Sequence, residues 1–551
     1  MLYSVIKYEE GENVMGFTTQ TFLFLFFPVC VVIYYLFYLL STRGPLAKVL
    51  TKAQLPEIVL ILISLFFYNW AGVGEAWKLV IYIAAVYGMG WGIQFKRDYV
   101  KKPKDDFGYY RPEPEPEEEP EPEEEILDPI EKRKREIKKR LAEEQKAQEK
   151  PKWWKQTDWI SIGIITLCVS VVVFILVYYK YADFITDFFT FNFSGKQKSL
   201  VAPIGISFIT FSAISYLVDI RRGDADCKNP IDCALYLCFF PKVISGPIVL
   251  WKDFKPQCGE KFLTLDKAFE GVERIMMGFA KKLIIADTLG ACIAQTNGAA
   301  ISAGTAWGIN FLFMLQIYFD FSGYSDIAIG LGKLLGYDMK ENFNFPYLST
   351  SIKDFWRRWH ISLGTWFKEY VYIPLGGNRK GTGRTVLNLA VVFILTGLWH
   401  GAGWTFLCWG ALHGLFRILE KLMENSNFYD AIPSFIKWIF TMAIIYFTWI
   451  VFRFTDFKEL IDWFKVMFGA GAKNVPYGFL YYFDWRIIAF AVIGLFGSTI
   501  LGIEGVKDAC ENKRDSSGAM FFRELLGILL FAVAIMFMVN STYSPFMYFQ
   551  F

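Results

Sequence analysis

The sequence has little charge for its length, and this shortage restricts what the protein can be. Charged residues make up 20% of the 551 positions, whereas 54% are hydrophobic and 19% are aromatic. The charge is concentrated in residues 101–156, so the rest of the chain has even less of it than the surface of a soluble enzyme needs. The composition therefore argues against a soluble multidomain enzyme and a disordered chain. It favours a protein whose surface faces lipid.

Several kinds of functional site are also missing from the sequence. The nine cysteines include no Cys-x-x-Cys pair and have no histidine at a zinc-ligand spacing, so we predict neither a disulfide framework nor a metal site. There is no Ser–His–Asp pattern, and we expect no bound cofactor. The net charge of +3 is too small to indicate nucleic-acid binding.

Long apolar segments are what the sequence has in abundance. A helix needs about 20 mostly apolar residues to cross the hydrocarbon core of a bilayer. Eleven segments qualify or come near: 17–40, 55–70, 77–93, 159–178, 200–220, 307–335, 385–399, 404–419, 436–452, 487–501 and 525–539. The shorter apolar segment at residues 234–250 predicts a re-entrant segment. We therefore predict an all-α, polytopic membrane protein with about 11 membrane helices, and loop Lys and Arg place its N-terminus outside.

The distribution of charge divides the chain into three predicted regions. Residues 1–100 are N-terminal membrane helices, residues 101–156 are a charged, Pro/Glu-rich cytoplasmic insert, and residues 157–551 are the membrane core. Proline removes backbone donors and like charges repel, so the Pro/Glu part of the insert should be extended and solvated. We interpret the insert as a linker. The alternative is that residues 132–140 contact anionic lipid headgroups.

Residues 342–384 mix cations with aromatic side chains and predict interfacial helices at the cytoplasmic face. One interpretation is anchoring at the membrane interface alone. The functional interpretation is a cationic mouth that receives a phosphate-bearing ligand from the cytoplasm. The candidate phosphate contacts are Arg357, Arg358, Lys368 and Arg379.

The chain has three histidines, His360, His400 and His413. An ionisable side chain at membrane depth is costly and is a candidate functional group, and imidazole can exchange a proton near neutral pH. His400 lies between glycines at the junction of two apolar runs, so we predict a functional role for it. For His413 we expect a hydrogen-bonded structural role.

Two carboxylates, Asp320 and Asp326, interrupt an apolar run. Six residues correspond to about 600° of helical rotation, so the two do not share a face and do not form a catalytic pair. One interpretation is buried hydrogen bonding to neighbouring helices. The alternative is that Asp320 or Ser322 lines a reaction cavity.

Short motifs in a fixed order carry a resemblance to a known family. They are residues 203–208, 240–248, 319–326, 354–363, 372–378 and 398–401, followed by an ending at 540–549. Their order resembles that of the membrane-bound O-acyltransferases, in the bacterial branch related to the alginate O-acetylation membrane protein and the teichoic-acid D-alanine transfer protein. The resemblance covers nearly the whole chain except residues 101–156.

The resemblance implies a ring of helices around a central tunnel. His400 corresponds to the invariant tunnel histidine of the family and His360 to its second polar site residue, and the adjacent Trp399 is a candidate substrate contact. His400 would act as general base and His360 would polarise the donor carbonyl. The implied donor is acetyl-CoA or another acyl thioester on the cytoplasmic side.

The expected function is transfer of an acetyl group across the plasma or inner membrane for O-acetylation of an extracellular or cell-wall polysaccharide. The expected partners are membrane lipids, an extracellular acetyltransferase protein and the polysaccharide acceptor, with no nucleic acid. The alternatives are D-alanyl transfer to teichoic acid, a transporter with the same intramembrane polar residues, and a scaffold that only anchors an extracellular enzyme.

Overall fold

The computed structural model describes residues 16–43, 54–71, 74–101, 159–189, 202–259, 263–424, 426–471, 474–506, 508 and 517–540. Within these ranges the chain forms helices and no strand, which confirms the predicted all-α class. Nearly all of the predicted insert at 101–156 lies outside the described residues, as does the ending after Asn540. The division of the chain into three regions therefore stays a prediction.

The helices of the first half are α1 Phe27–Arg43, α2 Leu55–Ala71, α3 Ala76–Lys101, α4 Trp159–Lys180, α5 Ala182–Phe189, α6 Ile206–Arg222, α7 Pro230–Cys238, α8 Phe240–Val243, α9 Trp251–Phe254, α10 Leu265–Phe279 and α11 Asp287–Ala294. The second half contains α12 Ala303–Leu334, α13 Ile352–Arg358, α14 Ile361–Phe367, α15 Thr382–His400, α16 Trp404–Met423, α17 Asn427–Ala431, α18 Ser434–Arg453, α19 Phe457–Met467, α20 Phe479–Tyr482, α21 Trp485–Ser498 and α22 Ser517–Asn540. Short π-helical segments occur at Phe22–Phe26, Ala280–Ala286 and Lys368–Tyr372.

Among the described residues, seven helices are long and apolar enough to cross a membrane. Their spans are Phe22–Thr42, Ala76–Asp98, Trp159–Lys180, Thr382–His400, Ser434–Arg453, Trp485–Gly502 and Phe521–Asn540. Large apolar side chains such as Phe174, Phe440 and Met536 project outward from them and are more than 60% exposed. Such a surface is stable when lipid surrounds it, and the multi-pass membrane architecture is confirmed.

The other four predicted spans are also helical but differ from simple lipid-facing spans. Helices α2 and α6 have only 17 residues each. Helix α12 is almost entirely enclosed by protein, and α16 ends in charged residues. Because these helices pack against protein, they carry polar side chains that a lipid-facing helix would not. The number of eleven membrane helices is not confirmed.

Helix α12 is the central element. Its 32 residues extend over about 48 Å, and it packs along α10 through glycines. A Cβ atom on Gly271 would lie 2.8 Å from the carbonyl oxygen of Gly330, and one on Gly278 would lie 2.6 Å from that of Gly323. Only glycine permits this approach, so the two backbones are in direct contact.

Residues 234–250 form a broken helix rather than a span. Helix α7 ends at Cys238, Phe239 interrupts it with ψ of 107°, and α8 follows for one turn. The segment is buried. Irregular backbone at membrane depth is tolerated only where protein encloses it, and that condition is met here.

Candidate functional site

His400 is the last residue of α15, at the turn into α16. The chain runs extended through Gly401 and Gly403 before α16 begins at Trp404. A Cβ atom on Gly401 would lie 2.2 Å from the ring of Phe406, so glycine at this position lets that ring pack against the turn. The side chain of His400 is buried.

Two glycines fix the crossing of α15 and α16. A Cβ atom on Gly397 would lie 2.5 Å from the carbonyl oxygen of Phe406, and one on Gly410 would lie 2.4 Å from that of Phe393. The helices therefore touch backbone to backbone one turn before His400. This contact positions the end of α15 that carries His400.

Aromatic rings surround the imidazole of His400. The ring of Trp409 on α16 meets it edge to face with centroids 4.9 Å apart, and the ring of Phe452 on α18 does so at 5.4 Å. Trp399 contacts it at 4.9 Å. Such a setting restricts water, so electrostatic interactions with a bound substrate are strong there.

His360 lies between α13 and α14 in a left-handed backbone conformation, with φ of 45° and ψ of 52°. A non-glycine residue in this region is uncommon and is maintained only when its surroundings determine it. The side chain is fully buried. Its Nδ1 lies 3.1 Å from Oδ1 of Asn342.

The contacts of Asn342 assign the tautomer of His360. Oδ1 of Asn342 accepts from the backbone N–H of Ser362 at 3.2 Å, and a backbone N–H can only donate. The atom facing His360 is therefore an oxygen, so Nδ1 of His360 carries the proton and donates. Burial lowers the pKa of His360 to about 3, so the imidazole is neutral and its Nε2 is an acceptor.

Trp399 connects the two histidines. Its ring lies 5.9 Å from that of His360 and 4.9 Å from that of His400, and it stacks on Phe211 of α6 at 5.3 Å. The structure thus brings both predicted histidines to the ring of Trp399, although 40 residues separate the histidines in sequence.

Helix α12 contributes one face to this site. Phe321 meets the ring of His360 edge to face at 4.7 Å, and Ser325 accepts from the amide nitrogen of Asn342 at 3.1 Å. Ser322 precedes Ser325 by three positions, so the two side chains are neighbours on the helix surface. Ser322 is buried and stays a candidate substrate contact.

Asp320 lies about 140° around α12 from Ser325, so it faces a different side of the helix. It accepts from the ammonium group of Lys282 at 2.8 Å, and Lys282 also donates to Asp287 at 2.6 Å. Asp326 pairs with Arg274 and Lys281. Both buried carboxylates therefore have cationic partners on neighbouring segments, in agreement with the first interpretation. The substrate contact of Asp320 stays a prediction.

Residues 342–384 form the short amphipathic helices that the sequence predicts. Arg357 and Arg358 both pair with Asp354, at 2.8 and 2.9 Å, so their charges are partly neutralised. Lys368 and Arg379 are exposed. Contact of any of these four cations with a phosphate group stays a prediction.

A polar network connects this stretch to the end of α6. Lys252 donates to the carboxylate of Glu369 at 2.9 Å, and Arg222 donates to the Glu369 carbonyl at 2.9 Å. Tyr370 donates to Asp219 at 2.8 Å. Burial raises the pKa of Glu369, but the hydrogen bond and charge of Lys252 and the charge of Arg222 lower it further, so the net pKa is below its usual value.

His413 is held in the bundle by a hydrogen bond, as expected. Nε1 of Trp356 donates to its Nδ1 at 3.2 Å. Among the described residues, no three His, Cys, Asp or Glu side chains gather in a way that could hold a metal ion.

Sequence reasoning missed Asn342, Lys180 and Tyr181. Lys180 donates to the carbonyl oxygen of Trp399 at 2.7 Å, and Tyr181 donates to that of Leu398 at 2.7 Å. These partners lie more than 200 residues apart in sequence, so no local pattern could have indicated the contacts.

Comparison with known proteins connects this geometry to a family. Residues 164–452 match the model of the membrane-bound O-acyltransferase family. The chain belongs to this family. The matched region includes both site histidines, Trp399 and the helices that hold them, so the suspected resemblance is confirmed.

Curated relatives agree with this assignment. The probable alginate O-acetylase AlgI of Azotobacter vinelandii is 36% identical over 71% of this chain and 85% of its own length. The peptidoglycan O-acetyltransferase of Helicobacter pylori is 34% identical over 58% of this chain and 66% of its own. The teichoic acid D-alanyltransferase of Bacillus subtilis is 31% identical over 47% and 68%. The predicted class of enzyme, a membrane O-acyltransferase, is confirmed.

Proposed function

We propose that the protein takes an acetyl group from a cytoplasmic thioester and transfers it to an acceptor at the outer face of the plasma or inner membrane. The product would be an O-acetylated extracellular or cell-wall polysaccharide. The observation that carries the proposal is the placement of His400 and His360 around Trp399, with His400 at the far end of a membrane helix that starts next to the cationic stretch.

Similarity to two kinds of O-acetyltransferase supports an acetyl group as the cargo. The alginate O-acetylase and the peptidoglycan O-acetyltransferase match this chain at higher identity and over more of its length than the teichoic acid D-alanyltransferase does. D-alanyl transfer therefore remains the second candidate. The family assignment argues against a transporter or a passive scaffold.

The length of α15 supports transfer across the membrane. Its 19 residues rise about 28 Å, close to the ~30 Å of the hydrocarbon core. If Thr382 lies at the cytoplasmic interface, His400 lies well past the midplane. A base there can meet a donor from one side and an acceptor from the other.

In the proposed reaction, His400 accepts the proton of the acceptor hydroxyl while the hydroxyl oxygen attacks the thioester carbonyl carbon. The tetrahedral intermediate then collapses, the C–S bond breaks, and the leaving thiolate takes a proton. His400 can return that proton, so the base ends as it began. The aromatic surroundings of His400 keep water from competing with the acceptor.

The tautomer of His360 changes the role that the sequence implied for it. A neutral His360 that donates through Nδ1 presents a lone pair at Nε2, so it cannot polarise a carbonyl oxygen. We propose instead that Nε2 accepts a hydrogen bond from an N–H or O–H group of the substrates. Trp399 and Ser322 would pack against the donor arm, and Lys368 and Arg379 would meet its phosphates.

The partners follow from the direction of transfer. An acyl group delivered at the outer face needs an acceptor there, and we propose an extracellular acetyltransferase protein that passes the group to the polysaccharide. Membrane lipids surround the bundle. Acetyl-CoA is the simplest donor, and an acyl group on a carrier protein is the alternative.

Thiol release by the purified, detergent-solubilised protein tests this function. Acetyl-CoA should yield free CoA at a rate that depends on an added hydroxyl acceptor, and D-alanyl and succinyl thioesters should react more slowly. The His400→Ala variant is the control for contaminating hydrolases. A wild-type protein that releases no thiol from acetyl-CoA above this control would overturn the proposed donor.

A further inference from the structure

The last turn of α15 is held by the end of α4. Nζ of Lys180 donates to the carbonyl oxygen of Trp399 at 2.7 Å, and Oη of Tyr181 donates to the carbonyl oxygen of Leu398 at 2.7 Å. Nζ of Lys180 also lies 3.4 Å from Oγ of Ser207 at the start of α6. Two successive carbonyls, immediately before His400, thus receive side-chain donors from one neighbouring segment.

These two carbonyls are ones that a helix cannot satisfy itself. The last four C=O groups of an α-helix have no intrahelical partner, and they carry the negative end of the helix dipole. A lysine ammonium near the C-terminus satisfies both needs. Gly401 follows at once and takes an extended conformation, so the chain beyond His400 offers no helical restraint.

Placing the charged side chain of Lys180 at the end of an apolar span costs free energy. Among the described residues, no carboxylate lies within ion-pair distance of its ammonium group, and the group sits at the end of an apolar span. An apolar residue there would avoid the desolvation of a charge. The carbonyl that its ammonium group contacts belongs to Trp399, the residue immediately before His400.

We propose that Lys180 is a positioning residue for acyl transfer. It fixes the final turn of α15 and thereby the direction of the His400 imidazole, and Tyr181 supports it through the preceding carbonyl. This inference rests on the proposed role of His400, but it concerns residues outside the histidine site. It also gives a functional role to Lys180, the cation in the last turn of α4.

Three variants distinguish a role of Lys180 in positioning His400 from a role in the stability of the fold. Lys180→Met keeps the length of the side chain and removes its donors and charge. Lys180→Arg keeps the charge and the donors. Tyr181→Phe removes only the hydroxyl group that reaches Leu398, and it leaves the ring in its buried cluster with Leu176 and Ile206.

The full-length purified variants are compared by thiol release from acetyl-CoA and by thermal unfolding. For Lys180→Met we expect kcat to fall by about tenfold to a hundredfold, the range for a lost hydrogen bond to a charged group, while KM for acetyl-CoA and the melting temperature stay near wild type. Lys180→Arg should recover most of that loss. Tyr181→Phe should lower kcat by about twofold to tenfold.

Four outcomes would overturn the inference: a wild-type kcat in Lys180→Met, a loss that appears only in KM, an arginine variant as inactive as the methionine variant at equal folded fraction, or an unchanged kcat in Tyr181→Phe. If Lys180→Met fails to fold, the kcat of Tyr181→Phe decides whether the inference holds. Failure of the proposed function looks different, because then His400→Ala itself would retain the wild-type rate.

Discussion

Individual residues in the site are fixed by polar contacts that come from distant parts of the chain. Asn342 holds His360 and Ser362 through one amide oxygen, and its amide nitrogen reaches Ser325 of α12. Lys180 and Tyr181 hold the helix end that carries His400. The two histidines are thus held by different residues, which belong to different segments of the chain. A substitution can therefore affect one imidazole without moving the other.

At this scale, His400→Ala should abolish acyl transfer while the protein folds normally. General acid–base catalysis contributes about 10²–10⁴-fold, so the rate of thiol release in the variant should fall by that factor. His413→Ala is the matched control, because His413 is equally buried in the same bundle but is bonded to Trp356. A His400→Ala variant that keeps more than about a tenth of the wild-type rate would exclude His400 as the base.

Asn342→Leu should lower the transfer rate by about tenfold or more, because it removes the acceptor that fixes the tautomer of His360 and leaves buried donors without a partner. Ser325→Ala is the control, since it removes only the contact on the nitrogen side of the amide. Initial rates at saturating acetyl-CoA would distinguish the two. Equal rates for both variants would show that the orientation of His360 does not matter for transfer.

Pairs of helices are positioned by direct backbone contacts at glycines. Helices α15 and α16 meet at Gly397 and Gly410, and α10 and α12 meet at Gly271 and Gly330. In lipid, helices gain little from hydrophobic burial, so close packing at small residues is a main source of association. The contact between α15 and α16 positions the helix that ends at His400. The contact between α10 and α12 positions the central helix, which faces His360.

Gly397→Val should therefore destabilise the protein and reduce its activity. The new side chain would begin 2.5 Å from the carbonyl oxygen of Phe406, and overpacking of this kind usually destabilises by about 1–3 kcal/mol. Gly383→Ala, on the same helix, faces open space and should leave the melting temperature unchanged or raise it. The measurement is thermal unfolding in detergent. A Gly397→Val protein as stable as the wild type would mean that the two helices can separate without loss.

At the scale of the whole molecule, the described residues form a helical bundle with a largely aromatic and aliphatic core, which encloses buried polar groups, and with an apolar exterior. Residues 342–384 carry exposed cations that include Lys353, near the end of α16, and Lys380, near the start of α15. Loops rich in Lys and Arg are retained on the cytoplasmic side. Donor entry and acceptor exit would then be on opposite sides of the bundle.

Cysteine labelling in intact cells tests this orientation. In a variant without the nine native cysteines, Lys353→Cys and Lys380→Cys should resist a membrane-impermeant thiol reagent and react only after the cells are opened. A cysteine placed at Tyr477, which is exposed beyond α19, should react from outside and serves as the positive control. Ready labelling of positions 353 and 380 in intact cells would reverse the proposed direction of transfer.

Much of this architecture could be predicted from the sequence because it depends on local composition. A lipid-facing helix needs a long apolar run, and an interfacial segment needs cations beside aromatics, so seven spans and the amphipathic stretch at 342–384 were visible. The count of spans was harder to predict. Helices such as α12 are enclosed by protein, and hydropathy does not distinguish burial in protein from burial in lipid.

The sequence by itself determined the helical class, the family and the two histidines, because rare imidazoles in apolar surroundings and an ordered set of motifs can be recognised without coordinates. Only the tertiary structure decided how those residues act together. It brought His360 and His400 to the same indole, assigned the proton of His360 through Asn342, placed Asp320 in an ion pair with Lys282, and set Lys180 against the end of α15. The physical reason is that these contacts join segments far apart in the chain, and their geometry depends on how the helices pack.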